Sequence, residues 1–424
     1  MQVLPTSLSH HRVRGDDVES VVRGRVVFAP AKAMWLAGMA SAALIGGAVT
    51  VSWAAVAIFI ASTGCVLLLG HSLGSHRKLI HDSFQCPKWL EYVLVWLGVQ
   101  VGLSGPIGLL RQHELRDYAQ RLSTCHDYLR HGRGFWRDGW WQLCCDLQLE
   151  SPPSTTIEPR IANDRFYRFL EVTWRAQQLA PALLLFAWGG WAFVFWGTCA
   201  RVTAGVVGHW LIGYFAHNEG AMHYEVRGAA VQGRNIRFTS LLTMGESWHN
   251  NHHAYPGSAR LGLFPGEWDP GWWVLVLLHK AGLVWKIRLP AELIERPEVQ
   301  AIDSIARAGV QPRPALAVDG GFRSLLHTCL RARSVVALGG AFMEGPAANV
   351  SEAVIRGLIG RGVAFHRNPG AGRLTLRIGN KHLSGLPALC VSLCAGNLVR
   401  RTIGLLLAPF ASSFEGARSR LRIS

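Results

Sequence analysis

Polar and apolar positions along this chain fall into blocks. From Ala33 to His76, 44 consecutive residues contain no Asp, Glu, Lys or Arg and are dense in Leu, Ile, Val, Ala and Trp. A helix crosses the hydrocarbon layer in about 20 residues, so this block predicts two crossings joined by a turn between Gly46 and Ser52. A second uncharged block runs from Ala176 to Ala200 and, beyond the single Arg201, continues from Val202 to Asn218. It predicts another pair. Tyr92 to Leu110 is also uncharged, but Ser104-Gly105-Pro106 interrupts it, and a crossing there would put the histidines before and after it on opposite sides of the bilayer. An interfacial or re-entrant helix is expected instead. The Trp-rich stretch from Pro270 to Trp285, with His279-Lys280 at its centre, is too short and too polar to span and predicts a helix in the headgroup layer. Leu383 to Val399 is uncharged too, and its Gly, Pro and two Cys leave it open between a further span and a surface-associated segment.

The expected fold class is therefore an all-α polytopic membrane protein: about four transmembrane helices in two hairpins, interfacial helices, and a cytoplasmic cap carrying the histidines described below. Arg12, Arg14, Arg23, Arg25 and Lys32 precede the first hairpin, Arg77 and Lys78 follow it, and its turn is uncharged, which places both ends of the hairpin in the cytoplasm. Residues 1–30 form a basic cytoplasmic segment with no apolar core of a cleavable signal. Residues 31–290 form the membrane domain, and 291–424 a basic C-terminal region of unknown role. From residue 299 on, the chain has 16 Lys and Arg against 5 Asp and Glu.

Composition agrees. Of 424 residues, 50% are hydrophobic and 17% charged, against about 25% charged in ordinary soluble domains, which excludes a disordered chain. The formal charge of +16 fits a nucleic acid, a membrane surface or an acidic partner. Because the basic residues flank apolar blocks and no nucleic-acid motif accompanies them, membrane lipid is the expected partner and nucleic acid is not. Nine Cys without a C-x-x-C pair give no disulfide framework.

Several of the 18 His cluster beside the predicted spans. His71-x4-His76 closes the second span and is followed by Arg77 and His81. His113-Glu-Leu-Arg116-Asp117 comes next. His209 and His217 lie on the fourth span, where an imidazole is costly without a partner. After it comes Gly245-Glu-Ser-Trp-His249-Asn-Asn-His252-His253, whose histidines share one helical face. An isolated H-x4-H pair is an everyday accident; three such groups abutting spans on one membrane face are not. Neutral imidazole suits iron, copper and zinc, so seven or more converging rings point to a polynuclear transition-metal site, with iron favoured. A redox metal beside an apolar, chain-length tunnel suits oxygen-dependent attack on a lipid C–H bond.

These residues make the chain resemble the membrane-bound non-haem di-iron fatty acid desaturases, in their acyl-CoA desaturase-like branch, over about residues 30 to 290. The most specific stretch is Gly245 to Pro256, continued by Ser258-Ala-Arg260 and Asp269-Pro-Gly-Trp-Trp273. The resemblance implies two iron ions at the cytoplasmic face, held by His71, His76, His113, His217, His249, His252 and His253. It implies O2-dependent formation of a cis double bond in a long-chain acyl-CoA or acyl-lipid, with electrons from a separate ferredoxin-like or cytochrome-type donor. Two positions depart from the family pattern. Arg116 and Asp117 stand where the second group would carry two histidines, and Gly213 stands where animal-type enzymes carry an Asn that reaches one iron through water. Asp117, four residues after His113, is a candidate oxygen ligand; Arg116, permanently cationic, is not. His126, His131 or His81 could fill the missing places, or Arg116 and Asp117 could pair and orient His113. A hydroxylase of the same metal class and a metal-poor, inactive lipid-binding relative remain as alternatives. Glu246-x-x-His249 echoes the carboxylate di-iron motif of soluble bundles, but it occurs once and reads as coincidence.

Overall fold

The computed structural model describes residues 12–15, 17–302 and three strands between 363 and 383. The chain divides into two units, Met1–Gly321 and Phe322–Ser424. In the second, Val363–Arg367, Leu374–Ile378 and Lys381–Leu383 form an antiparallel three-stranded sheet. The open stretch Leu383–Val399 falls, beyond Leu383, outside the described residues.

The first unit is mostly helical. Helix α1 (Pro30–Val49) starts with Pro at its first position, where the missing N–H costs nothing. Ser52 then caps helix α2 (Trp53–Ile80), its hydroxyl accepting from the Ala55 amide at 3.2 Å. The turn thus lies between Gly46 and Ser52, as the charge pattern predicts. From Val66 on, α2 is wound with i→i+5 hydrogen bonds, the wider π form. Helix α3 (Lys88–Val99) packs on this part of α2, where Gly70 and Gly74 let the backbones meet: a Cβ at either would strike backbone atoms of Leu94 or Leu97. The chain breaks at Gly102 to Gly105, and helix α4 (Pro106–Arg121) follows. The uncharged run Tyr92–Leu110 is thus interrupted where expected.

Helix α5 (Phe135–Cys144) precedes α6 (Ala176–Asn218), and α6 contains a sharp break. Gly189 and Gly190 have non-helical dihedrals, Gly190 at φ 64° and ψ −157°, a region open essentially to glycine alone. Beyond it the chain folds back. A Cβ on Gly197 would meet Leu185 at 2.7 Å, although twelve residues span about 18 Å along a straight helix. The sequence pattern put the interruption of this block at Arg201. The structure puts it at the two glycines and keeps Arg201 inside the helix, buried, with Nε donating to the Gly197 carbonyl at 2.8 Å and Nη2 to Gln178 Oε1 at 2.7 Å.

Three helices, α1, α2 and α6, are long and apolar enough to cross a membrane. Their side chains face outward, with Leu44, Ile45, Leu184 and Trp188 all largely exposed, a pattern a soluble protein would not sustain. The chain is a membrane protein. Helix α7 (His249–Ala254) and helix α8 (Pro270–Lys280) complete the unit. Trp272 and Trp273 of α8 are buried in protein, so this helix packs by its tryptophans against the body of the molecule. Helices dominate as expected, with short strands added between them. Short antiparallel pairs join Gly24–Phe28 to Cys145–Leu149, Tyr224–Val226 to Val299–Ala301, and Val13–Arg14 to Ser154–Thr155. Runs of two to five residues carry too little alternation to be read as strands beforehand.

Candidate metal centre

Two groups of histidines form at the ends of the long helices. The first comprises His76, His81, His113 and His252; the second His217, His249 and His253. Within each group one ring nitrogen per residue lies within 4.8 Å of the others.

The winding of α2 builds the first group. In a π helix residues five apart lie on one side, so His71 and His76 share a face, and His81 follows at the C-cap just past Ile80. Their rings stand 6.5 Å (His71 to His76) and 4.8 Å (His76 to His81) apart. His113 comes from α4, 5.2 Å from His76 and 5.0 Å from His81, and His252 from α7, 4.6 Å from His76. The second group takes His217 from the end of α6 and His249 and His253 from α7, with His249 Nε2 lying 3.1 Å from His217 Nε2 and 3.0 Å from His253 Nε2. Helix α7 therefore serves both groups, sending His252 to one side and His249 and His253 to the other.

The asparagines of the same box do the anchoring. Asn250 accepts from the amides of His223 and Tyr224 and donates to the carbonyls of Tyr224 and Gly233; Asn251 donates to the Leu261 carbonyl and to Glu267. Burial raises the Glu267 carboxyl to about 7. A helix of six residues has little stability of its own, and these bonds fix it. On the other side Arg77 donates to Asp269 at 2.7 Å and to Ser72, and Ser72 donates to Glu246 at 2.6 Å. Glu246 Oε2 in turn lies 2.6 Å from His76 Nδ1, a carboxylate behind a candidate ligand. Glu246 thus stands behind a candidate ligand, in a place unrelated to the bundle motif.

The donor set suits a transition metal. Both ring nitrogens of His252 and Nδ1 of His113 are buried without a hydrogen-bond partner among the described residues, an expensive condition that a cation relieves. Burial lowers His249 to about 3 and His252 and His253 well below the usual range, so these rings are neutral and their lone pairs available. His217 Nδ1 donates to the Gly213 carbonyl at 2.6 Å, leaving its Nε2 bare towards His249. One proton at most sits on His249 Nε2 for its two close nitrogen neighbours, whereas a metal among the three satisfies all.

The structure brings together six of the residues named from sequence: His76, His113, His217, His249, His252 and His253. His71 lies outside both groups, its ring 5.2 Å from His209. Asp117 is also outside, with Oδ2 3.7 Å from His113 Nδ1 and 3.9 Å from Arg121. His81 enters in their place. Its signal was a second x4 interval, His76-x4-His81, meaningful once the helix is known to be π-wound.

Over residues 51–263 the chain matches the family model described as fatty acid desaturase. It belongs to that family. The desaturase is 37% identical to the sn-1 stearoyl-lipid 9-desaturase of Synechocystis sp. over 231 residues, 53% of this chain and 69% of that one. It is 34% identical to the sn-2 palmitoyl-lipid 9-desaturase of Nostoc sp. over 245 residues, 56% and 82% of the two chains. To an acyl-CoA 5-desaturase of Anemone leveillei it is 31% identical over 248 residues, 58% and 76%. The desaturase is accordingly an oxidoreductase of lipid metabolism, and both histidine groups depend on residues inside the matched span.

Proposed function

We propose that this enzyme inserts a cis double bond into a long acyl chain carried by a membrane lipid or by coenzyme A, using two iron ions, one in each histidine group. The observation that carries the reading is the pair of imidazole groups meeting on α7 beside the membrane helices. His76, His81, His113 and His252 hold one ion and His217, His249 and His253 the other. When bound, the pair supplies the redox chemistry that activates dioxygen. Overall, two hydrogens leave adjacent methylenes, O2 takes them with two external electrons and two protons, and two waters form.

The protein's own part is to bring these rings to the chain. α7 sets the spacing between the groups, the Asp269–Arg77–Ser72–Glu246 relay holds the first, and burial keeps the rings neutral. The reversal at Gly189-Gly190 divides α6 into two crossings, four in all, with both histidine groups on the cytoplasmic side. The donor is a separate protein, and the net charge of +16 suits an acidic carrier.

The fatty-acid profile of a host expressing the gene tests the activity: a new cis alkene is expected, and hydroxy-acyl chains without one would replace desaturation by hydroxylation. Iron analysis of the purified protein should give about two per chain, and none under iron-replete growth would make it an inactive relative. Labelling of cysteines placed at the exposed positions Gln112 and Pro265 should report the same side of the membrane.

A further inference from the structure

Arg116 and Gly213, the two departures from the family pattern, lie far apart in sequence and meet in space at His131. Arg116 Nη1 is 2.6 Å from His131 Nε2 and 3.2 Å from the Leu129 carbonyl, while Nη2 donates to Gln142 Oε1 at 2.9 Å. An arginine only donates, so His131 Nε2 accepts and its proton sits on Nδ1. That proton goes to Asp138 Oδ2 at 2.9 Å, which also accepts from Trp210 Nε1 at 2.9 Å. His131 and Asp138 are buried. The His131 ring lies against the His217 ring, centroids 5.4 Å apart and planes 15° from parallel. Gly213, one helical turn before His217 on α6, makes the room, since a Cβ there would come within 3.1 Å of His131 Nε2.

We propose that Arg116, His131, Asp138 and Gly213 form one unit that takes the place of a metal ligand and makes the two sites unequal. His131 cannot coordinate while the guanidinium occupies its Nε2, so it is a wall and not a donor. The second metal is held by three imidazoles beside a fixed positive charge, and the first by four imidazoles backed by Glu246. Gly213 is not a lost ligand but the space that the His131 ring requires. Arg116 is a positioning residue, acting on the second site through His131 and His217. This rests on reading the two groups as metal sites, but it does not need the metal to be iron or the reaction to be desaturation.

The test is metal retention, measured on the full-length protein in detergent. Iron-loaded and cobalt(II)-loaded samples are titrated with a chelator, and the metal remaining per chain is counted. Two steps are expected, separated by at least about tenfold in chelator concentration, the scale of outer-layer effects on metal affinity. Arg116→Gln removes the charge and should shift only the weaker step, by about tenfold towards tighter binding, whereas Arg116→Lys should keep the wild-type steps. A role in folding alone would move both steps together. Wild-type protein releasing both metals in a single step overturns the proposal without any variant, as does Arg116→Gln leaving the weaker step where it was. Two unequal cobalt sites in a protein that takes up no iron would uphold it while sinking the iron desaturase reading. Failure to bind either metal would sink both.

Discussion

The two histidine groups share α7 and differ in what stands behind them. Behind the first is one carboxylate, Glu246, at 2.6 Å from His76 and itself tied to Ser72 and near Arg77. Behind the second are a backbone carbonyl on His217 and, through His131, the Arg116 guanidinium together with the Asp138 carboxyl. A carboxylate raises the basicity of the ring it faces and offsets the charge of a cation; a guanidinium does the reverse. Similar imidazole clusters can thus be given different affinities by their neighbours, and the family's box pattern, which counts only ligands, does not register the difference.

The largest change should come from His252→Ala. His252 is buried and neither ring nitrogen has a hydrogen-bond partner among the described residues, so the substitution removes a donor and no structural bond. Turnover should vanish, iron should fall to about one per chain, and membrane insertion should be unchanged because α7 lies outside the long helices. Full retention of both irons would remove His252 from the first group and collapse the comparison.

Next in size is a paired test, His81→Ala against His71→Ala. Family resemblance assigns a metal to His71, whereas the histidine group that could hold one contains His81 and not His71. His81→Ala should lower first-group affinity by more than about 100-fold, and His71→Ala by less than about tenfold, its ring lying by His209. The reverse order, read from iron content after dialysis, would restore the assignment made from sequence.

How far the sequence showed this is instructive residue by residue. The apolar blocks revealed the first hairpin because lipid imposes length and excludes charge, and the three His boxes were legible because imidazoles near a span are costly without purpose. The reversal of α6 was misplaced because Arg201 looks like a boundary until its hydrogen-bond acceptors are known, while Gly189-Gly190 is short and apolar. His81 was one of several open candidates because helical spacing was counted at 3.6 residues per turn, and α2 is wound wider there. Glu246 looked like coincidence because its partner, His76, is distant in the chain. The meeting of Arg116 with Gly213 at His131 depends on tertiary packing that no spacing encodes.

Acid should weaken both groups alike and so erase their difference. His249, at about 3, and His252 and His253, well below the ordinary value near 6.5, are neutral when folded. Their contribution to stability is full above about pH 6.5, where the unfolded rings are neutral too, and is lost as pH falls from there towards 3. Glu267, raised to about 7, acts the other way: its protonated folded form adds stability below about 4.5, lost as pH rises through 7. With three rings against one carboxyl, thermal melting of the chelator-treated protein should change little from pH 8 to 7 and fall below 6.5. A melting temperature that rose on acidification would mean that the rings are protonated in the fold.

Asp117→Asn should have the smallest effect, and its size tests the count of donors on the first site. Asp117 Oδ2 stands 3.7 Å from His113 Nδ1, beyond hydrogen-bond range, and 3.9 Å from Arg121 Nη2, a loose ion pair. Pairs of that kind are worth under about 1 kcal/mol, which corresponds to less than about fivefold in affinity. The amide keeps the shape and removes the charge, so first-site iron retention should move by no more than that, with the second site unaffected. A loss of tenfold or more confined to the first site would make Asp117 an oxygen ligand. The contrast between the groups would then be wider than the rings alone make it, with four nitrogens and a carboxylate facing three nitrogens and a guanidinium.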